Sequence, residues 1–130
     1  MTQEDKELLL KDLSARLLYH VKVKIWLEDG TTEEGFLDLE HNYADVLQDA
    51  FYYNEIKDIK PYLRPMSSMT EEEKNEYCYL QDRFLYSSQY PVTDAYALFD
   101  WLNKNMFDYR GLIEKGLAIE VIEDNNPYKK

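Results

Sequence analysis

The sequence predicts a single α+β domain in which an N-terminal helix precedes an antiparallel β-meander and two or three helices follow it. Two observations predict this class. Apolar and polar residues alternate from residue 20 onward, which is the period of a half-buried strand. Apolar residues recur at helical spacing on both sides of that stretch, in residues 2–18 and again after residue 70. Because the strands are short, the pattern also fits a small SH3-like or Sm-like barrel.

The strand region spans residues 20–65. Its first strand carries valine, isoleucine and leucine on one face, and Asp29 with Gly30 then predicts a tight hairpin turn. Gly35 in the second strand suggests a bulge or a sharp bend. Proline has no N–H to donate to a ladder, so Pro61 and Pro65 are expected to end the last strand. Three short apolar runs predict the further strands, in residues 46–48, 51–53 and 56–59.

The first two predicted helices have recognisable starts. Thr2 is a good N-cap for the first helix, and leucines at i, i+3, i+4 and i+7 spacing form its apolar stripe. Thr70 and Glu73 have the spacing of a capping box, in which each side chain binds the backbone N–H of the other residue. This pattern predicts a second helix over residues 71–85.

The last third of the chain predicts shorter elements. A third helix is expected to run to about residue 105, with Phe99 in its buried stripe. Asp108 would cap a short helix that ends at Gly116, and residues 117–122 alternate weakly, as an edge strand does. The expected domain therefore covers residues 1–122, and residues 123–130 form a polar, flexible tail.

Composition limits the classes of function. A net charge of −11 argues against direct binding to a phosphate backbone and against anionic membranes. It favours solubility, or a basic partner that an acidic protein could decoy. Twelve tyrosines are many for 130 residues, and tyrosine is enriched at protein interfaces.

The cysteine content and the apolar runs of the sequence also allow predictions about its compartment and cofactors. A single cysteine, Cys78, excludes an internal disulfide and a cysteine-based metal site. The acidic beginning of the chain lacks the features of a signal peptide, and no apolar run approaches the ~18 residues of a membrane span, which favours a cytoplasmic location. No cofactor is predicted.

The sequence contains no clear catalytic signature, so an enzyme is the less favoured class. The best metal-ligand candidates are His20 with Asp38, Glu40 and His41, which a hairpin would bring to one end of the sheet. Acidic residues at a strand end are far more often a solvated turn. Neither serine pair has the surroundings of a nucleophile.

Two segments place arginine beside tyrosine. Tyr62 and Arg64 lie in the first, and Tyr109 and Arg110 lie in the second. An arginine next to a tyrosine is typical of binding hot spots, so these four residues are weak candidates for a protein-binding site. The favoured interpretation is structural, namely ion pairs that fasten helix ends to the sheet.

Three segments, together with the strand-turn signal between the first two of them, resemble an uncharacterised family of short proteins encoded by gut anaerobic bacteria and by their phages and mobile elements. The most specific motifs are PYLRP at residues 61–65 and FDYRGLI at residues 107–113. This chain has Leu18 and His20 where the family pattern has proline and glycine. The resemblance implies a phage or mobile-element context and no established activity. The three segments are residues 8–25, 58–73 and 99–120.

The leading functional prediction is a non-enzymatic interaction module that binds another protein or a second copy of the chain. It depends on the acidic charge, the tyrosine excess and the lack of a catalytic constellation. The alternative is a nucleic-acid-associated barrel domain that uses Lys22, Lys24 and Trp26 despite the charge. A small metal-dependent hydrolase around the histidines is the third possibility.

Overall fold

The computed structural model of the chain describes residues 2–37, 56–86 and 89–128. Its architecture is α+β, as predicted, with one helix before the strands and two helices after β3. The helices are α1 (Gln3–Arg16), α2 (Glu71–Tyr86) and α3 (Pro91–Lys104), and the strands are β1 (Val21–Leu27), β2 (Thr32–Leu37), β3 (Ile56–Leu63) and β4 (Ile119–Glu120). Within these described ranges, no helix is long and apolar enough to cross a membrane.

Helix α1 begins where the sequence predicts. The hydroxyl of Thr2 accepts the backbone N–H of Asp5 at 3.0 Å, which satisfies one of the first unpaired N–H groups of the helix. After one 3-10 turn the chain reverses at His20, whose φ of 58° lies in the left-handed region. Glycine adopts this conformation with less strain than histidine, which gives a physical reason for the glycine in the resembled family.

The four described strands form an open, mixed sheet in the order β2-β1-β3-β4. Strand β1 is antiparallel to both β2 and β3, whereas β4 is parallel to β3. The predicted hairpin is present, with Gly30 at φ 90° in its turn. The described strands do not follow the order of a meander, since β3 pairs with β1, and a closed barrel is not confirmed.

Strand β3 continues through Pro61 and ends at Leu63, before Pro65, which corrects the prediction for Pro61. Pro61 lies opposite Val23 and is buried. Tyr128 completes the hydrogen bonding beside it: its hydroxyl accepts the N–H of Lys22 at 2.9 Å and donates to the carbonyl of Tyr62 at 2.8 Å. A side chain from the predicted tail thus bridges β1 and β3 between Lys22 and Tyr62, next to the last register pair of Val23 and Pro61.

Two apolar clusters hold the fold together. The larger one lies between α1 and the sheet, with Leu9, Leu13 and Val21 fully buried. The smaller one joins α2 and α3 to the segment after α3, and Phe107 is its fully buried centre. Its other buried members are Met69, Leu98 and Leu102.

The short helix predicted after Asp108 is replaced by turns, although both of its signals act as expected. The Asp108 carboxylate accepts the N–H groups of Leu112 and Ile113, each at 2.9 Å. Gly116 has φ 74°, as a residue that ends a turn in the left-handed conformation does. The chain then enters β4, which confirms an edge strand within residues 117–122.

The remaining strand-region predictions have mixed outcomes. Residues 46–48 and 51–53 lie outside the described residues. Gly35 pairs regularly with Val23, and the register shift occurs instead between Trp26 and Leu27 on the β3 side. The bulge prediction at Gly35 was therefore wrong.

Candidate protein-binding surface

The four residues predicted as a weak protein-binding site are all described by the structure. Each side chain has a partner inside the fold, which is the arrangement that the structural interpretation predicts. Tyr109 and Arg110 are in contact, with the guanidinium 4.7 Å from the ring centroid. The four hydrogen-bond partners are Glu34 for Tyr62, Glu73 for Arg64, Asn103 for Tyr109 and Asp12 for Arg110.

Arg110 belongs to a buried charge network that sequence reasoning missed. Asp12 and Arg16, both fully buried on α1, form a bidentate pair at 2.9 and 3.0 Å. Arg110 binds the same carboxylate at 3.0 Å, and Arg16 donates to the carbonyl of Phe107 at 2.7 Å. The network fastens α1 to the segment after α3. The i, i+4 spacing of Asp12 and Arg16 within the leucine stripe was the available signal.

Arg64 fastens the start of α2 to the end of β3. Its guanidinium binds both carboxylate oxygens of Glu73, at 2.8 and 2.7 Å, and lies 4.3 Å from the ring centroid of Phe107. Glu73 also completes the capping box, because its carboxylate accepts the Thr70 N–H and the Thr70 hydroxyl accepts its N–H. The predicted capping box is confirmed.

Two tyrosines donate hydrogen bonds to carboxylates, and their pKa values are raised above the ordinary value of 10.0. Burial, with the hydrogen bond to Glu34, raises the pKa of Tyr62 to about 12. The hydrogen bond to Asp100 raises the pKa of Tyr19 to about 12. Both phenols are therefore donors to their carboxylates at neutral pH, and neither is an activated base or nucleophile there.

The predicted metal ligands are only partly described. His20 is exposed at the turn before β1, and Asp38, Glu40 and His41 lie outside the described residues. Among the residues that are described, no three His, Cys, Asp or Glu side chains cluster in a way that could hold a metal ion.

Helices α2 and α3 expose large apolar and aromatic side chains. All of α2 is described, and none of its side chains is fully buried. Tyr79 and Tyr86, which lie two turns apart on α2, are 60% and 80% exposed. On α3, Val92, Tyr96 and Phe99 follow i, i+4 and i+7 spacing and are exposed as well. We call these five residues the tyrosine surface.

Phe99 was predicted to be buried and is 43% exposed. The buried stripe of α3 instead consists of Asp94, Leu98, Leu102 and Asn103. Asp94 is buried because Arg83 of α2 reaches across to its carboxylate at 3.4 Å, and this contact orients α2 against α3. Phe99 therefore lies at the edge of the helix pair, where its ring contacts Tyr109.

A groove of about 570 Å³ lies beside the α2–α3 pair. Tyr77 of α2 and Tyr109 supply aromatic walls, and Glu114 and Glu120 line the same groove. Neither glutamate forms an ion pair within the described part of the chain. Aromatic faces next to free carboxylates are the surroundings that a lysine or arginine side chain prefers.

The Arg64–Glu73 contact makes stability depend on pH. The Arg64 guanidinium, helped by the Thr70 N–H, holds the pKa of Glu73 below its ordinary value of 4.5. A lowered folded-state pKa adds stability above the unfolded-state pKa, and this stability is lost as the pH falls through the folded-state value. We expect Glu73→Gln to destabilise the protein at neutral pH and to cost progressively less below pH 4.5.

Thermal unfolding of wild type and variant across this pH range measures the difference. Glu72→Gln is the control, because Glu72 is exposed and has no ion pair within the described residues. A constant difference between wild type and Glu73→Gln at every pH would contradict the assignment.

Comparisons with known proteins found no match to this chain. No protein-family model, no curated protein and no solved structure matches the chain.

Proposed function

We propose that this chain is a non-enzymatic, cytoplasmic protein-binding module whose contact surface is the tyrosine surface of α2 and α3. The observation that carries the proposal is the exposure of five large side chains on two neighbouring helices. Exposed aromatic residues on adjacent elements are typical of interaction sites, because their burial against a partner stabilises the complex. The phage or mobile-element context implied by the sequence resemblance supports a host protein as the partner.

The charge of this region supports a partner with a basic surface. Residues 71–104 contain seven acidic side chains and three basic ones. Glu73 and Asp94 are held by arginines of the chain itself, whereas Glu72 and Asp82 have no ion pair among the described residues. A basic partner would therefore find free carboxylates beside exposed tyrosine rings, and both attract arginine and lysine.

The groove beside Tyr77 supports the same class of partner. The groove shares no lining residue with the tyrosine surface, so it would take a separate side chain of the partner, and interfaces usually depend on a few side chains that enter such pockets. Here the pocket has tyrosine walls and the carboxylates of Glu114 and Glu120, which form no ion pair with the described residues. An arginine side chain would stack on the rings and pair with an acid, so we expect arginine as the anchor residue.

The test is affinity capture from lysate of a gut anaerobe, followed by identification and purification of the captured protein. We expect a protein with a basic surface, and we expect Tyr86→Ser/Tyr96→Ser to weaken its binding at least about tenfold, since hot-spot tyrosines contribute roughly 2 kcal/mol or more. Leu18→Ser removes an exposed apolar side chain that does not belong to the tyrosine surface and serves as the control.

Two outcomes would overturn the proposal. In one, wild type and the double variant bind the purified partner equally. In the other, light scattering shows a dimer that the double variant abolishes, which would assign the tyrosine surface to self-association instead of a basic partner.

A further inference from the structure

Two lysines face each other across the sheet. Lys24 of β1 and Lys60 of β3 are register partners, so their side chains leave the same face of the sheet at adjacent positions. Like charges directly opposite each other destabilise a sheet. The chain has 26 acidic and 15 basic residues, which makes a lysine pair at this position unexpected on composition alone.

No carboxylate neutralises this pair among the described residues. Glu34, the neighbour of Lys24 on β2, accepts the Tyr62 hydroxyl at 2.6 Å and lies 3.9 Å from Lys22. The Asp58 carboxylate accepts the backbone N–H of Ile59 at 2.9 Å. Glu34 thus bonds to Tyr62 and pairs with Lys22, and neither Lys24 nor Lys60 forms an ion pair among the described residues.

Both lysines of the pair contact the same aromatic ring. The ammonium groups of Lys24 and Lys60 lie 5.3 and 5.6 Å from the ring centroid of Trp26, which is half-buried. This cation–π contact partly offsets the repulsion and fixes both charges beside the indole. An anion placed between the lysines would remove the repulsion altogether.

A second lysine–aromatic pair lies next to the first. Lys22 is two residues before Lys24 on β1, about 6.6 Å away along the strand. Its ammonium is 5.4 Å from the ring centroid of Phe36 on β2, and that ring is 39% exposed. The sheet therefore presents two cation–aromatic units in a row. We call Lys22, Lys24, Trp26, Phe36 and Lys60 the lysine face.

We propose that the lysine face binds single-stranded nucleic acid, with a phosphate group between Lys24 and Lys60. Non-specific single-strand binding combines positive charge along the backbone with aromatic rings for the bases, and this face supplies both. The prediction from composition, that direct nucleic-acid binding is unlikely, considered only the net charge. The described structure places three of the 15 basic residues on one face, together with the acids Glu34 and Asp58, opposite the side where α1 packs.

The test is fluorescence anisotropy with a labelled single-stranded oligonucleotide at low salt. Lys60→Glu replaces the like-charge pair by an opposite-charge pair, so we expect at least about tenfold weaker binding together with a higher unfolding temperature. Lys11→Glu on α1 makes the same change in net charge on the other side of the sheet. It should leave both quantities close to those of the wild type.

Three outcomes would overturn the proposal: no binding by the wild type, equal losses for Lys60→Glu and Lys11→Glu, or equal affinity for duplex and single strand. Competition by inorganic phosphate or a mononucleotide at concentrations that match the oligonucleotide would assign the face to a small phosphate ligand instead. The parallel rise in unfolding temperature shows that any loss of binding in Lys60→Glu does not come from unfolding.

Discussion

Asp12→Ala is expected to destabilise the domain by about 3–5 kcal/mol, because it leaves the Arg16 guanidinium buried without its counter-charge. Both side chains are fully buried, and one Arg16 nitrogen, Nη1, already has no hydrogen-bond partner in the described structure. Arg110 would lose its partner in the same step. Urea unfolding monitored by circular dichroism measures the change.

Two controls separate the buried network from ordinary ion pairs. Glu71→Ala breaks the exposed pair with Lys74 and should change the unfolding free energy by less than about 1 kcal/mol. The double variant Asp12→Leu/Arg16→Met removes both buried charges, and we expect it to be more stable than Asp12→Ala alone. A loss below about 1 kcal/mol for Asp12→Ala would show that water or rearrangement compensates the arginine.

Phe107→Ala is the second large effect, with an expected loss of about 3–5 kcal/mol. The ring is fully buried, stacks on Trp101 with centroids 5.5 Å apart, and lies under the Arg64 guanidinium. Its removal leaves a cavity in the smaller core and takes away one face of the Arg64 contact. Urea unfolding gives the loss, and a shift in tryptophan emission reports the change around Trp101.

Phe99→Ala is the matched control for Phe107→Ala. It deletes the same side chain from α3, where the ring is 43% exposed, and should cost clearly less. Equal losses for the two variants would mean that the smaller core is not centred on Phe107. Because Phe99 belongs to the tyrosine surface, the same variant is also expected to weaken binding of a basic partner.

Sequence reasoning succeeded where the signal is local. The Thr2 cap, the capping box of Thr70 and Glu73, and the turn at Gly30 each depend on residues within four positions of one another. Hydrogen bonds of this kind form in the same way wherever the segment packs. The starts of α1 and α2 were therefore predictable from the residues alone.

The failures depend on contacts between distant parts of the chain. No residue near Pro61 in the sequence indicates that β3 continues past it. The hydroxyl that hydrogen-bonds to both strands there belongs to Tyr128, near the other end of the chain. The bond from Arg16 to the carbonyl of Phe107 spans 91 positions and gives no local pattern. Phe99 was predicted to be buried because its spacing on α3 fits the buried stripe. The same spacing also fits the edge of that stripe, where the structure places it.

The two candidate surfaces differ in how far they could be predicted. The tyrosine excess indicated an interface, but composition cannot place the rings on α2 and α3. Lys22, Lys24 and Trp26 share a strand face by simple alternation, so that part of the lysine face was predictable. The register that sets Lys60 opposite Lys24 required the structure.

The hydrogen bonds of the Tyr128 hydroxyl can form only late in the synthesis of the chain. This hydroxyl bonds to residues 66 and 106 positions earlier in the chain, so it closes some of the longest loops in the domain. Strands β1, β2 and β3 emerge before α2 and α3 and can pair before those two helices have formed. The junction between β1 and β3 stays open to water until residue 128 leaves the exit tunnel. Translation therefore determines when the sheet acquires its last hydrogen bonds.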